Sequence, residues 1–263
     1  ALVSAAAIMT MSTTAFAAEN PAEVFDRVME KNNTIQSAEI QSGVHSVILA
    51  KDVIPDGQMK VDMAMHAEMD MQDTTDLKYL AQVASSILGQ DSYSQVFYTD
   101  GYYYVDTNGV KLKYPMPLEQ IISSVQTGVN TSNMESSYMK GISLNEVNGK
   151  RVLAYEANPK KLNKNVKEAL GTVMNTLGTD ANLDMNIQEM KGAYVLDDND
   201  YIIYMTNYIV YNMEVLDQPM TCITLMETEV QNPGEPVVVT LPSTDGYEDL
   251  IGLYDGVIES EVE

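Results

Sequence analysis

Met59, Val61, Met63, Met65, Ala67, Met69 and Met71 stand on alternate positions. Lys60, Asp62, His66, Glu68 and Asp70 fall between them, with Ala64 the one apolar residue on that side. Period two over thirteen residues predicts a half-buried β-strand, apolar on one face and wet on the other. A strand of that length reaches roughly 40 Å, beyond the ordinary, so it belongs to a large, twisted antiparallel sheet.

The pattern on either side supplies neighbours for that strand. Asn20-Pro21-Ala22-Glu23 opens a helix over about 21–32, with Asn20 as N-cap, Pro21 in the first turn and Val24, Phe25, Val28 and Met29 on one stripe. Residues 35–50 read as a strand joined to the methionine strand through Pro55-Asp56-Gly57. From Asp73, the recurrence of Leu77, Leu80, Ala81, Ala84, Ile87 and Leu88 predicts a second helix closed by Gly89. Asp100-Gly101 and Asn108-Gly109 mark tight hairpins within 93–114. A helix over about 117–127 carries Leu118, Ile121, Ile122 and Val125, and the Asn/Ser/Thr-rich stretch 128–137 reads as a loop. Strands at 138–144 and 150–155 are joined by Asn148-Gly149. Asn158-Pro159 then starts a helix bearing Leu162, Val166, Ala169, Leu170, Val173 and Leu177. The remainder alternates as strands at about 182–189, 192–197, 200–215 and 219–230, with an edge strand expected at Val237 to Leu241.

Composition changes the picture at the ends. Ala1 to Met11 is a run of small apolar residues followed by Ala15-Phe16-Ala17, so residues 1–17 are expected to be a secretory leader cleaved after Ala17. That run is too short to span a membrane, and no other window is long and apolar enough for a transmembrane segment. One domain is expected over 18–242, followed by an acidic tail over 243–263. With 15 Lys plus Arg against 38 Asp plus Glu, the net charge of −23 repels nucleic acid, which is excluded as a partner. One cysteine, Cys222, leaves no internal disulfide, so the core rests on packing alone.

Catalytic signals are absent: there is no HExxH, GxSxG, CxxC or phosphate loop, and no cofactor is implied. His45 and His66 are the only imidazoles, and His66 falls on the wet phase of its strand. Asp197-Asp198-Asn199-Asp200 has oxygen ligands but not calcium-loop spacing, and reads as a turn. Eighteen methionines allow a soft-metal reading, but the row runs the length of the strand without converging, so no metal site is assigned. Packing in a core explains them, as does an adaptable lining, because unbranched thioethers repack around irregular apolar partners. The candidate lining is Met59, Val61, Met63, Met65, Met69 and Met71, with Leu80 and Leu170 facing it from the helices. Sixteen tyrosines without tryptophan make Tyr102, Tyr104, Tyr204 and Tyr208 a candidate aromatic surface.

The segment Phe97-Tyr98-Thr99-Asp100-Gly101 through Tyr103, Lys111-Leu112-Lys113 and the run Tyr201 to Glu229 resemble a group of secreted proteins and lipoproteins of Gram-positive, largely clostridial, bacteria. That group is similar in fold to the LolA/LppX-type lipoprotein carriers. The resemblance implies an α+β fold, a large curved antiparallel sheet forming an incomplete barrel, with helices packed on its concave face. It also implies an exported, non-enzymatic protein at the extracellular side of the cell envelope, holding an apolar small molecule or acyl chain between sheet and helices. The alternatives are a cell-envelope protein- or peptide-binding or structural module without a ligand cavity and, more remotely, a hydrolase. The Gram-positive setting removes the outer membrane such carriers serve, and no lipobox cysteine stands near the leader.

Overall fold

A computed structural model of the protein describes residues 19–50, 54, 56–73, 77–118, 120, 134–164, 185–215 and 218–250. Helix α1 (Pro21–Asn32) starts as its sequence dictates: Asn20 Oδ1 accepts from Ala22 N at 3.1 Å, Pro21 sits in the first turn, and Val24, Phe25, Val28 and Met29 are buried. Six strands follow, β1 (Ser37–Leu49), β2 (Gln58–Asp70), β3 (Lys78–Ile87), β4 (Gln90–Thr99), β5 (Tyr102–Thr107) and β6 (Val110–Pro115). A 3-10 turn (Ser136–Tyr138) leads into β7 (Met139–Val147), β8 (Lys150–Ala157), β9 (Met185–Leu196), β10 (Ile202–Val215) and β11 (Gln218–Gln231), and β12 (Glu248–Asp249) ends the described chain.

All twelve strands share one sheet in the order β12-β6-β5-β4-β3-β2-β1-β11-β10-β9-β8-β7. Two meanders therefore run outward from a central seam, where β1 pairs antiparallel with β11 from Glu39↔Gln231 to Leu49↔Thr221. The expected curved antiparallel sheet, an incomplete barrel with helices on its concave face, is overturned. The sheet is open and not curled into a barrel: β7 and β12 lie at opposite ends of the strand order and do not pair. It is also mixed, because β12 joins β6 in parallel. The described helices are small. Besides α1 and the 3-10 turn, helical residues are described at Leu118, Gln120 and Leu250 and over 159–164, which follows Asn158, whose Oδ1 accepts from Lys160 N at 3.1 Å.

The helix expected from Asp73 to Gly89 is strand β3 instead. Tyr79, Ala81, Val83, Ser85 and Ile87 alternate as well as Leu77, Leu80, Ala84 and Leu88 recur at helical spacing, and partners decide between the two. β2 and β4 flank the segment on both sides, over Val61↔Ile87 to Asp70↔Lys78 and Tyr79↔Tyr98 to Ile87↔Gln90. Leu88 (φ 54°) and Gly89 (φ 76°) then form a tight hairpin turn and not a helix cap. Val237 to Leu241 is not paired as a strand. The helix expected at 117–127 lies outside the described residues except Leu118 and Gln120. So do most of the 128–137 loop and the Asn158 helix beyond residue 164.

Register and alternation define the two faces. Tyr155, Gly192, Asn207, Met226, Val44 and Met63 form one row across six strands, so the methionine side of β2 continues to β8. On this methionine face α1 packs Val24, Phe25, Val28 and Met29 onto Leu144, Leu153, Tyr155, Tyr194 and Leu196. Gly192 makes room there: a Cβ would collide with the Thr206 carbonyl and lie 2.6 Å from Asn207 Oδ1, where the Tyr155 hydroxyl donates to the same oxygen. An ionic clamp holds the helix. Arg27 reaches Asp200 at 2.9 Å and Glu19 at 3.3 Å, and Arg151 of β8 pairs with the same two carboxylates.

Candidate functional site

The methionine face divides in two along β2. Toward its end, Met69 and Met71 are buried with Ala38, Leu77, Tyr98 and Val230, a dry core onto which Ile40, Tyr79, Tyr103 and Met116 pack. Toward its start, Met59, Val61 and Met65 are half-buried and Met63 is 39% exposed. Val44 of β1 stands between Met63 on β2 and Met226 on β11, so two thioethers flank it within roughly 10 Å of sheet. Ile87, 43% exposed, extends the patch onto β3 opposite Val61. The polar groups inside the patch satisfy one another: Ser42 bonds Thr228 at 2.7 Å and Ser46 bonds Thr224 at 2.9 Å. The result is an apolar surface made adaptable by methionine and free of charge on the β1, β2 and β11 rows.

Of the residues expected to line a ligand space, Met59, Val61, Met63, Met65 and Met69 share this face, and Met71 sits in its dry core. Leu80 does not face them. Opposite Glu68 in the ladder, it points to the other side of the sheet and packs with Phe97, Tyr104, Val239 and Tyr247. Leu170 lies outside the described residues. The four candidate tyrosines share the opposite face but not a site. Tyr102 and Tyr104 are on β5 and Tyr204 and Tyr208 on β10, six strands away, which is roughly 30 Å. Tyr104 is buried and stacked on Phe97 at 4.6 Å between centroids. The Tyr204 hydroxyl donates to Glu227 at 2.8 Å; burial first, and that carboxylate second, push its pKa far up, so it stays protonated.

The opposite face also carries both imidazoles. His45 Nδ1 lies 2.7 Å from Asp62, and His66 Nε2 lies 3.2 Å from Glu68 with Glu39 at 3.9 Å. A shallow, open depression of about 300 Å³ beside His45 and Asp62 is lined by Val47, Lys60, Tyr208, Ile223 and Leu225. The nearby serine and thiol turn away from that pair: Ser46 bonds Thr224 on the methionine face, and Cys222 is buried there with its thiol 3.8 Å from the Met213 sulfur. Among the described residues no cluster of three or more His, Cys, Asp or Glu side chains could hold a metal ion. Asp197 to Asp200 is a turn in which Asp197 Oδ1 accepts from Asn199 N and Tyr201 N, each at 2.8 Å. Phe97 and Tyr247, which were not among the candidate site residues, join Tyr104 in an aromatic cluster on the opposite face. The available signal was one aromatic ring inside the acidic run Asp245-Gly246-Tyr247-Glu248-Asp249.

An open, mostly antiparallel sheet with a small helix clamped on one face defines the structural class. Residues 20–242 match the family described as a family of unknown function, DUF6612, and the chain belongs to that family. Comparison with curated proteins gives no match. Among solved structures the chain is similar to LprF from Mycobacterium bovis, at 10% identity and TM-score 0.36 over 85% of this chain and 97% of that one. It is also similar to the lipoprotein LppX of Mycobacterium tuberculosis, at 9% identity and TM-score 0.36 over 84% and 100%. A β-barrel-like protein of a domain of unknown function, DUF1849, from Brucella abortus gives 10% identity and TM-score 0.26 over 76% and 100%. This is a weak structural resemblance to LppX-type lipoproteins; it assigns no ligand. Among the described residues no helix is long and apolar enough to cross a membrane.

Proposed function

We propose that the protein is an exported, non-enzymatic binding module that presents the half-exposed methionine patch to an apolar or amphipathic segment of a cell-envelope protein. One observation carries the reading: Met63, within an apolar charge-free surface, and Ile87, at its β3 margin, stay exposed. Thioethers suit a partner surface because three rotatable bonds let them refit different shapes. Export is supported by Ala15-Phe16-Ala17 after a short apolar run, with residues 1–17 as the leader. An enclosed acyl-chain site takes a cavity of about 300–1,000 Å³ that buries most of its ligand, whereas the depression beside His45 and Asp62 is open and lies on the face opposite the methionines.

The test is site-specific photo-crosslinking in the producing cell, with a benzophenone side chain in place of Met63 or of Asp62, its neighbour on the opposite face. A discrete protein adduct from position 63 and none from position 62 is expected, and Met226→Lys should abolish it. Equal adducts from both positions overturn the reading. Saturable, stoichiometric uptake of a fluorescent fatty acid, blocked by Met63→Lys, overturns it in favour of a lipid carrier.

A further inference from the structure

After β11 the chain turns through Asn232-Pro233-Gly234 and crosses the face opposite the methionines. Val237 N donates to Ser37 Oγ at 3.0 Å and Thr240 N to Glu68 Oε2 at 3.4 Å. Val239 and Tyr247 are buried against Leu80, Phe97 and Tyr104. The Tyr247 ring stands edge-on to both partners of the stacked pair, 5.6 Å from Phe97 and 5.1 Å from Tyr104, each at 89°. Lys111 lies 5.3 Å over the Tyr247 ring, and Lys113 lies 5.2 Å over Tyr102. Glu248 and Asp249 then add to the edge of the sheet, in parallel with Leu112 and Lys113 of β6.

We propose that the β6 edge and the Phe97–Tyr104 pair form a docking slot for an extended partner segment carrying an aromatic residue followed by carboxylates, occupied here in cis by residues 243–249. The slot has the parts such recognition needs: a strand edge to which a segment can add, a ring pocket on the next two strands inward, and two lysines beside the path of the acids. The cis segment is held lightly. From Ser243 to Asp249 the Tyr247 side chain alone is buried, and the ladder with β6 is two residues long. A segment anchored by one buried ring and a short ladder opens locally more readily than the long ladders of the sheet interior. The chemistry of the occupant specifies that of the competitor, because lysines beside the rings favour acidic over basic segments. This inference does not rest on the methionine-face reading; it concerns the other side of the sheet.

Full-length protein with Tyr247→Ala releases the slot, and a fluorescein-labelled peptide of residues 244–250 reads it by anisotropy. In wild type the tethered segment competes at an effective concentration of about millimolar, so the variant should bind the peptide at least about tenfold more tightly. A peptide with alanine for its tyrosine should not bind, and Lys111→Glu in the variant should weaken binding again. Equal binding by wild type and a folded Tyr247→Ala variant, or equal binding of a scrambled peptide, overturns the proposal. Hydrogen exchange of the wild-type protein decides independently of whether the variant folds. Amides on the β6 edge should exchange by local opening, faster than those between β4 and β5, and exchange only through global unfolding overturns the slot.

Discussion

Asp200 carries the helix clamp and marks where acid should first weaken the protein. It sits at φ 65°, with Arg27 and Arg151 on its carboxylate and its carbonyl accepting from Asn32 Nδ2 at 3.0 Å. Burial alone would raise its pKa, but hydrogen bonds from Arg27 and Arg151 outweigh burial and hold it below the ordinary value. A depressed folded pKa means stability that is present above the unfolded value of about 3.9 and is lost as pH falls through the lowered one. Asp200→Asn keeps the left-handed backbone and removes the charge. Urea unfolding at pH 7 should show a loss of about 0.5–1 kcal/mol. The gap between variant and wild type should narrow as pH falls below about 3.9 and vanish only below the lowered folded pKa. The two halves of β2 should separate just as clearly. Met69→Asp places a carboxylate in a site 2% exposed and should cost at least about 3 kcal/mol, whereas Met63→Asp, at a site 39% exposed, should stay within about 1 kcal/mol. Equal losses in thermal melts of the two variants would show that Met63 is core.

At the scale of elements, the turns were legible where their chemistry is explicit. Asp100-Gly101, Asn108-Gly109 and Asn148-Gly149 all adopt positive φ at both residues, as two-residue hairpins require, and all three are announced by Asn or Asp before Gly. Leu88-Gly89 makes the same turn with a residue that pays for the left-handed conformation, and that is why β3 read as a helix. Leu88 is 69% exposed, so no packing compensates it. Leu88→Asn should therefore stabilise the protein by about 1 kcal/mol, the strain removed from one left-handed residue. An unchanged or lower urea midpoint would contradict the hairpin. Helix α1 was read to its ends because its cap, proline and apolar stripe lie in consecutive residues. The alternation of β2 was equally plain. Which part of it is dry was not, because Ala38, Leu77, Tyr98 and Val230 reach Met69 and Met71 from elsewhere in the chain.

The openness of the sheet belongs to the whole molecule, and no local pattern encodes it. Every other antiparallel pair joins strands consecutive in the chain, but the central one joins residues 39–49 to residues 221–231. Two half-sheets can thus assemble early from hairpins, while the seam between them waits for the last long strand to be delivered. Long-range pairing of this kind slows folding and lengthens the life of partly formed species. During that interval β1 and β11 are bare edges bordered by Val44, Met63 and Met226, open to the wrong neighbour as well as the right one. A chain that emerges N-terminus first holds β1 in this state until β11 arrives, so its time to completion is set by the rate at which the polypeptide is supplied. Two chains emerging side by side can exchange halves across the seam, each finishing the other's sheet.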